Sequence, residues 1–193
     1  MMSTTDDKKD QGSFSLKEVF LNFITSENSS GEIAGAVEVL ATEEITRTNF
    51  RNIRSRVLLS PSASFRDRVV GLILYYARAC VKDHELTIDE KENLQLLKTL
   101  FQIEEGEFYS HRALELSDLL SQQVLRIIQD RRLEDKENLY QSDLQRIFGL
   151  SYDQYVELTQ KAVKEFLEMI PKDEAQERAG ELQQIRTAFL ISN

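Results

Sequence analysis

The sequence predicts an all-α helical bundle of about eight or nine helices. Apolar residues recur at spacings of three and four along most of the chain, and no segment sustains the apolar–polar alternation of a strand. Only 7 glycines and 2 prolines occur among 193 residues, which are few breakers for a fold with many strands. The hydrophobic fraction of 41% and the charged fraction of 30% are typical of a soluble globular protein with a sizeable core.

The first part of the chain is predicted to contain a tail and three helices. Residues 1–13 are polar, small or charged, which predicts a disordered tail, and they hold no apolar stretch of signal-peptide length. Residues 14–59 predict an N-terminal helical segment, and Ser15 and Glu18 stand in capping-box spacing at its first helix. The stretches SSGEIAGAVEVLA and EEITRTNFRNIRSRVLL each predict one further helix.

A long central helix is predicted after the break LSPSAS. Pro61 is tolerated in the first turn of a helix and Ser60 can cap it, so this helix should run through FRDRVVGLILYYARACVKD. Its apolar residues extend around most of the circumference, which indicates a largely buried helix. Cys80, the only cysteine, is expected to be a buried small hydrophobe. A single cysteine excludes an intramolecular disulfide and fits a reducing cytoplasm.

Five helix candidates follow Asp83. They are IDEKENLQLLKTLF, FYSHRALELSDLLSQQVLRIIQD, KENLYQSDLQRIF, SYDQYVELTQKAVKEFLEMI and DEAQERAGELQQIRTAFL. Pro171 ends the fourth, and the fifth is predicted to be a single terminal helix. The sequence therefore divides into the tail, the N-terminal helical segment, and a bundle over residues 60–193 that ends in a C-terminal helix.

An internal repeat is predicted within this bundle. A shift of 47 residues pairs identical residues, namely Asp83 with Asp130, Leu86 with Leu133, Glu90 with Glu137, Leu97 with Leu144, and Phe101 with Phe148. Each copy has the order helix, acidic loop, helix, short turn and next helix. Such an internal duplication can stack about a common core in a helical bundle.

The acidic loop carries a resemblance to a known family. A helix that ends in aspartate, a short loop, an aliphatic residue, and glutamate seven positions after the aspartate together resemble the TerB-like tellurite-resistance family. The match is strongest at KDHELTIDEKENLQLLKTLF and covers roughly residues 65–168. The resemblance implies a cytoplasmic all-helical bundle, found in stress-response systems and as an accessory domain of some co-chaperones.

The resemblance also implies acidic residues that bind a divalent metal. The matching positions are Asp83 and Glu90 in the first copy, and Asp130 and Glu137 in the second. The chain departs from the family directly after each aspartate. His84 and Arg131 stand where the family usually has glycine, so the second loop is expected either to differ in geometry or to have lost its site.

The residues alone leave more than one role open for the first acidic loop. Asp83, Glu85, Asp89 or Glu90 can supply oxygen ligands to Ca²⁺ or Mg²⁺ together with backbone carbonyls. Thr87 and Glu90 also stand in capping-box spacing, and Asp89 favours the positive end of the same helix. Capping has the stronger mechanism, while a cation site and a partner-docking site remain alternatives.

The specific calcium loop of an EF-hand is excluded. With Asp83 at the first position, Ile88 occupies the position that requires glycine, and Leu94 occupies the position of the bidentate glutamate. The loop therefore offers at most a looser site of irregular coordination.

Charge opposes nucleic-acid binding. The chain carries 24 basic and 33 acidic residues, a net charge of −9, whereas a phosphate backbone requires a basic surface. Arg47, Arg51 and Arg54 recur at helical spacing and are a local exception. They form either a solvated helix face or a candidate partner-binding face. No apolar run approaches the length of a membrane span.

The sequence gives little support for catalysis. The two histidines, His84 and His111, do not follow a glutamate at the spacing of a helical di-iron site, and no glycine-rich phosphate loop occurs. Cys80 and His84 lie one helical turn apart, but in an apolar setting. We expect a non-catalytic interaction or sensing module, without a cofactor, whose partner is another protein. A divalent-cation-binding protein is the first alternative, and an enzyme of unrecognised type is the second.

Overall fold

The computed structural model describes residues 16–26, 33–46, 48–58, 62–83, 86–129 and 135–191. These ranges contain ten α-helices, one 3-10 turn and no strand, which confirms the predicted all-α bundle. None of the described helices is both long enough and apolar enough to cross a membrane.

The N-terminal helices share a core with the bundle. Helices α1 (Leu16–Ser26) and α2 (Ala34–Thr42) pack against each other, and α1 also packs on the central helix. The ring centroids of Phe20 in α1 and Tyr76 in the central helix lie 5.9 Å apart, and both side chains are fully buried. The N-terminal segment therefore covers part of the central helix.

Helix α3 (Phe50–Val57) is shorter than predicted because a turn precedes it. The side-chain oxygen of Asn49 accepts a hydrogen bond from the Thr46 amide at 2.7 Å. The side-chain nitrogen of Asn49 donates to the carbonyl of Glu44 at 2.8 Å. The Asn49 side chain thus forms hydrogen bonds with backbone groups, and these bonds compete with those of a helix. They also fix the path of the chain from Glu44 to Thr46.

Helix α4 (Ala63–Cys80) is the buried central helix that the sequence predicts. Nine of its 18 residues are buried, and Cys80 is among them. Its predicted cap was wrong, since Ser62 rather than Ser60 is the N-cap residue. The Ser62 hydroxyl accepts from the Phe65 amide at 2.9 Å, which is the usual N-cap geometry. Ser60 and Pro61 lie outside the described residues.

The rest of the bundle surrounds α4. After a 3-10 turn at Val81–Asp83 come α5 (Ile88–Phe101), α6 (Glu107–Gln129), α7 (Asp135–Phe148) and α8 (Tyr152–Met169). Helices α5 and α6 pack against α4, and α8 packs along α6.

The single C-terminal helix that the sequence predicts is two helices, α9 (Lys172–Glu177) and α10 (Ala179–Ala188). They meet at Arg178, whose backbone leaves the helical region with φ −102° and ψ 16°. The Arg178 guanidinium binds Glu174 at 2.8 Å and Glu181 at 2.7 Å, and it donates to the carbonyl of Ile128 in α6 at 3.4 Å. The break lies where this side chain ties both helices to the bundle.

The 47-residue offset matches the bounds of two helices. Helix α5 covers residues 88–101 and α7 covers residues 135–148, so both ends are 47 residues apart. Each is followed by a left-handed residue, Gln102 with φ 55° and Gly149 with φ 60°. The next amides, of Ile103 and Leu150, donate back to the carbonyls five residues before them, which gives both helices a Schellman-type end. The duplication itself stays a prediction.

The ends of α5 and α7 are tied to each other. The Gly106 amide donates to the Gly149 carbonyl at 3.2 Å. The Lys98 amine of α5 donates to the carbonyl of Ile147 at 2.7 Å and to that of Arg146 at 3.4 Å. Burial lowers the pKa of Lys98, although Glu105 opposes that effect. A half-buried cation therefore satisfies carbonyls that the end of α7 leaves unpaired.

A second cation fixes the end of α5 and the start of α6. Arg66 of α4 donates to the carbonyl of Phe101 at 2.6 Å, to the carbonyl of Gln102, and to both carboxylate oxygens of Glu107. Burial alone would raise the pKa of Glu107, but the bonds from Arg66 and from the Glu104 amide hold this pKa below its usual value. The Arg66 fork joins three helices at one point.

We expect Gly149→Ala to destabilise the protein more than Gly106→Ala. Both glycines have positive φ, which costs an alanine about 1–2 kcal/mol. A Cβ on Gly149 would also lie 3.1 Å from the Cα of Glu105, whereas Gly106 has open space. We expect this clash to add about 1–3 kcal/mol. Urea unfolding of both variants measures the difference, and equal losses would contradict the close approach of the two turns.

We expect the stabilising effect of Glu107 to disappear in acid. Because the pKa of Glu107 is lowered in the folded protein, its contribution is present above the ordinary value of 4.5 and is lost as the pH falls through the folded value. The difference in unfolding free energy between wild type and Glu107→Gln should therefore be largest near neutral pH and shrink below pH 4.5. Denaturant unfolding at several pH values measures it. Glu165→Gln is the control, because the exposed Glu165 lies 3.9 Å from Lys161 and should contribute little at any pH.

Candidate functional site

A groove of about 530 Å³ lies where α1, the end of α2 and the first turns of α5 meet. We call it the acidic groove. Its apolar side chains are those of Leu16, Leu40, Ile45 and Leu96, and its acidic side chains are those of Glu43, Glu44, Asp89 and Glu92. Lys17 and Asn93 complete the lining. The groove therefore combines an apolar surface with carboxylates contributed by two separate segments.

The first pair of carboxylates is placed by the turn that follows α2. Glu43 is the C-cap residue of α2 and has extended backbone angles, φ −111° and ψ 135°. The Asn49 side chain holds the next residues in position through its bond to the Glu44 carbonyl. Arg56 of α3 reaches Glu43 at 2.5 Å and neutralises it. Glu44 is thus left as the exposed carboxylate of this segment.

The second pair of carboxylates is placed by the capping box of α5. The Thr87 hydroxyl accepts from the Glu90 amide at 3.2 Å, and a carboxylate oxygen of Glu90 accepts from the Thr87 amide at 2.9 Å and from its hydroxyl at 2.8 Å. This confirms the predicted capping box. Asp89 and Glu92 lie on the exposed face of the same turns, where the helix N-terminus favours negative charge.

The acidic groove is electrostatically negative. Glu44, Asp89 and Glu92 are exposed, and none of the three forms an ion pair within 4.0 Å among the described residues. Lys17 lines the groove without forming an ion pair to any described carboxylate. Three unpaired carboxylates beside a single lysine favour a positively charged ligand.

The predicted cation site is not assembled by the described residues. Glu90 is fully buried and its carboxylate is used by the capping box, whereas Asp89 is exposed at the acidic groove. Asp83 ends the 3-10 turn, but its side chain, like the whole of Glu85, lies outside what the structure describes. Within the described parts of the chain, no group of three or more His, Cys, Asp or Glu residues is placed to hold a metal ion.

The other predicted site residues either lie outside what the structure describes or do not line the acidic groove. Asp130 and Arg47 lie outside the described residues, as does the side chain of Glu137, whose backbone is in α7. Arg51 of α3 is exposed and Arg54 is half-buried, and neither lines the acidic groove. The proposed pairing of Cys80 with His84 also falls outside the described residues, because His84 does.

Sequence reasoning missed Glu43, Glu44 and Arg56. Glu43 and Glu44 lie 46 and 45 positions before Asp89, so no local spacing indicates that they share a groove with it. The available signal was the pair of glutamates directly after an apolar helix. That signal is weak, since acidic residues after a helix are usually solvated.

A second groove, of about 480 Å³, has the opposite character. It is lined by Arg68, Arg78 and Arg112 next to the aromatic rings of Phe23 and Tyr75. Arg112 is neutralised by Asp67 at 2.6 Å and by Glu115 at 2.7 Å, and Arg78 lies 3.2 Å from Asp118. Because two of its arginines are paired within the protein, this groove is a weaker candidate for a ligand of opposite charge.

Gly71 and a kink in α6 explain how Arg112 reaches this position. A Cβ on Gly71 would lie 3.3 Å from Nη2 of Arg112, so the glycine lets the guanidinium lie close to α4. The backbone of Arg112 leaves the helical region, with φ −137° and ψ 37°. The side chain then meets Asp67 on α4.

Comparisons with protein-family models, with curated proteins and with solved structures give no match for this chain. The resemblance of residues 65–168 to the TerB-like family therefore stays a prediction, as does any link to tellurite resistance. The acidic groove is the feature of this chain whose chemistry indicates a ligand class.

We expect Thr87→Ala to lower the free energy of unfolding by about 1 kcal/mol, because it removes the hydroxyl of the capping box. Thr87→Ser should retain most of the stability, since serine supplies the same hydroxyl. Asp89→Asn should change stability by less than about 0.5 kcal/mol, as an exposed substitution does. Urea unfolding of the three variants measures these effects. A greater loss for Asp89→Asn than for Thr87→Ala would show that Asp89 has a structural role that the capping box does not explain.

Proposed function

We propose that this protein is a non-catalytic interaction module, and that its acidic groove binds a basic, amphipathic segment of a partner protein. The observation that carries the proposal is the combination of an apolar floor with the unpaired carboxylates of Glu44, Asp89 and Glu92. A partner with only basic residues would leave the floor exposed, and a partner with only apolar residues would leave the carboxylates unmatched.

A helical segment suits the groove best. An amphipathic helix presents apolar anchors at spacings of three and four residues on one face and charged residues along its edges. The floor includes the half-buried side chains of Leu16, Ile45 and Leu96, which can accept such anchors. Glu44 comes from the turn after α2, whereas Asp89 and Glu92 come from α5, so basic residues at separate points of the helix can each find a carboxylate.

The capping box favours this function over cation binding for the acidic stretch. Glu90 is a position of the TerB-like motif whose side chain the structure describes. Its carboxylate accepts hydrogen bonds from Thr87 at the start of α5. The carboxylates that remain available belong to a groove with an apolar floor, which suits a protein segment better than a hydrated ion. The TerB-like resemblance implies an accessory domain of some co-chaperones, which is compatible with an interaction module, and a stress-related role belongs to the same proposal.

The test uses a synthetic peptide with leucines at helical spacing and lysines at the other positions. The peptide is labelled with fluorescein, and its binding to the protein is measured by fluorescence anisotropy. We expect Glu44→Lys combined with Glu92→Lys to weaken binding about tenfold at low salt, which corresponds to about 1.4 kcal/mol. The effect should diminish as the ionic strength rises, because exposed charges are screened. A matched peptide with glutamates in place of the lysines should not bind.

The control is Glu168→Lys combined with Glu177→Lys. Both residues are exposed on α8 and α9, and neither lines the acidic groove. Each double variant changes the net charge from −9 to −5, so the two differ only in where the charge is reversed. If both double variants bind the lysine peptide equally, the groove is not its site, and the proposal fails.

A further inference from the structure

Lys17 is the one cation among the described residues that line the acidic groove. It is exposed, and it forms no ion pair with any described carboxylate. The neighbouring carboxylate of Glu43 is bound by Arg56 at 2.5 Å and not by Lys17. The positive charge of Lys17 therefore has no counter-ion in the part of the protein that the structure describes.

Charges of opposite sign enter the groove from different elements. Lys17 belongs to α1, Glu44 to the turn after α2, and Asp89 and Glu92 to the first turns of α5. Lys17 pairs with none of these three carboxylates, so the opposite charges do not neutralise each other by direct contact. The groove thus presents one positive position to a ligand, separate from its negative positions.

A uniformly basic segment would fit this pattern incompletely. The basic residue that comes nearest to Lys17 would be repelled by it, and the segment would displace water from the Lys17 amine without supplying an acceptor. A carboxylate at that point would exchange the repulsion for attraction and would replace the lost water. Like charges placed against each other are also a common means by which an interface rejects the wrong partner.

We propose that the segment that binds the acidic groove carries one carboxylate that pairs with Lys17, among the basic residues that pair with Glu44, Asp89 and Glu92. This pairing rests on the proposed function of the groove and specifies the order of charges that the partner presents. Lys17 is thereby a specificity-determining residue. It favours basic segments that have an acidic residue at one defined place over segments that are basic throughout.

The test is a glutamate scan of the fluorescein-labelled lysine peptide. Each lysine is replaced by glutamate in turn, and the affinity for wild type is measured by anisotropy at low salt. Replacement of a lysine that faces a groove carboxylate should weaken binding. At the position that faces Lys17, we expect replacement to strengthen binding about threefold, the effect of one exposed ion pair.

Substitutions of Lys17 locate the preferred position. With Lys17→Glu, glutamate at that peptide position should weaken binding, and the unmodified lysine peptide should bind more tightly than it binds wild type. Lys17→Gln removes the charge without reversing it, so the affinity ratio of the two peptides should lie between those of wild type and Lys17→Glu.

The matched control is Lys164→Glu. Lys164 is exposed on α8 and does not line the acidic groove. Its replacement changes the net charge from −9 to −11, as Lys17→Glu does. The control should therefore attract basic peptides over long range to the same extent, yet keep the wild-type preference for glutamate at the one position. Thermal unfolding followed by circular dichroism checks that each variant is folded, and exposed substitutions of this kind should change the melting temperature little.

Two results would overturn the assignment of Lys17 while leaving the proposed function intact. In the first, the lysine peptide binds wild type but glutamate strengthens binding at no position. In the second, the preferred glutamate position is equally favourable in folded Lys17→Glu. If the lysine peptide does not bind wild type at all, the proposed function of the groove fails and the role of Lys17 fails with it.

Discussion

The bond network of Arg66 fixes the geometry on which the rest of the bundle depends. Its guanidinium reaches the last carbonyls of α5 and the carboxylate of Glu107 at the start of α6, while its own backbone belongs to the central helix. One planar group with five donors can satisfy these acceptors together, which a lysine amine cannot do in the same fixed geometry. The first turns of α5 line the acidic groove, so the placement of this helix against α4 bears on the geometry of the groove.

The same solution recurs at other helix ends. Lys98 donates to the last carbonyls of α7, and Arg178 donates to Ile128 near the end of α6. The final carbonyls of a helix have no partner within the helix and attract positive charge. A cation from a neighbouring helix therefore satisfies the helix end and fixes the packing of the two helices at once. This gives Arg66, Lys98 and Arg178 a structural role at helix ends, although the chain as a whole is acidic.

The contrast between Asp89 and Glu90 shows why acidic composition alone does not define a site. The two residues are adjacent, yet one is exposed at the acidic groove and the other is fully buried in the capping box. Successive residues of a helix point about 100° apart, so neighbours in sequence reach different surroundings. Exposed carboxylates without a cation define the acidic groove, whereas the buried carboxylate of Glu90 stabilises the start of α5.

The sequence by itself determined the all-α class, the buried central helix, and the capping box at Thr87, because these follow from local periodicity and from side chains within one turn of the backbone groups they bind. Only the tertiary structure decided that Arg178, which reaches the carbonyl of Ile128, divides the C-terminal helix, and which carboxylates share a groove. Those outcomes depend on contacts between residues far apart in the chain. Spacing along the sequence carries no record of such distances, since they are set when the helices pack.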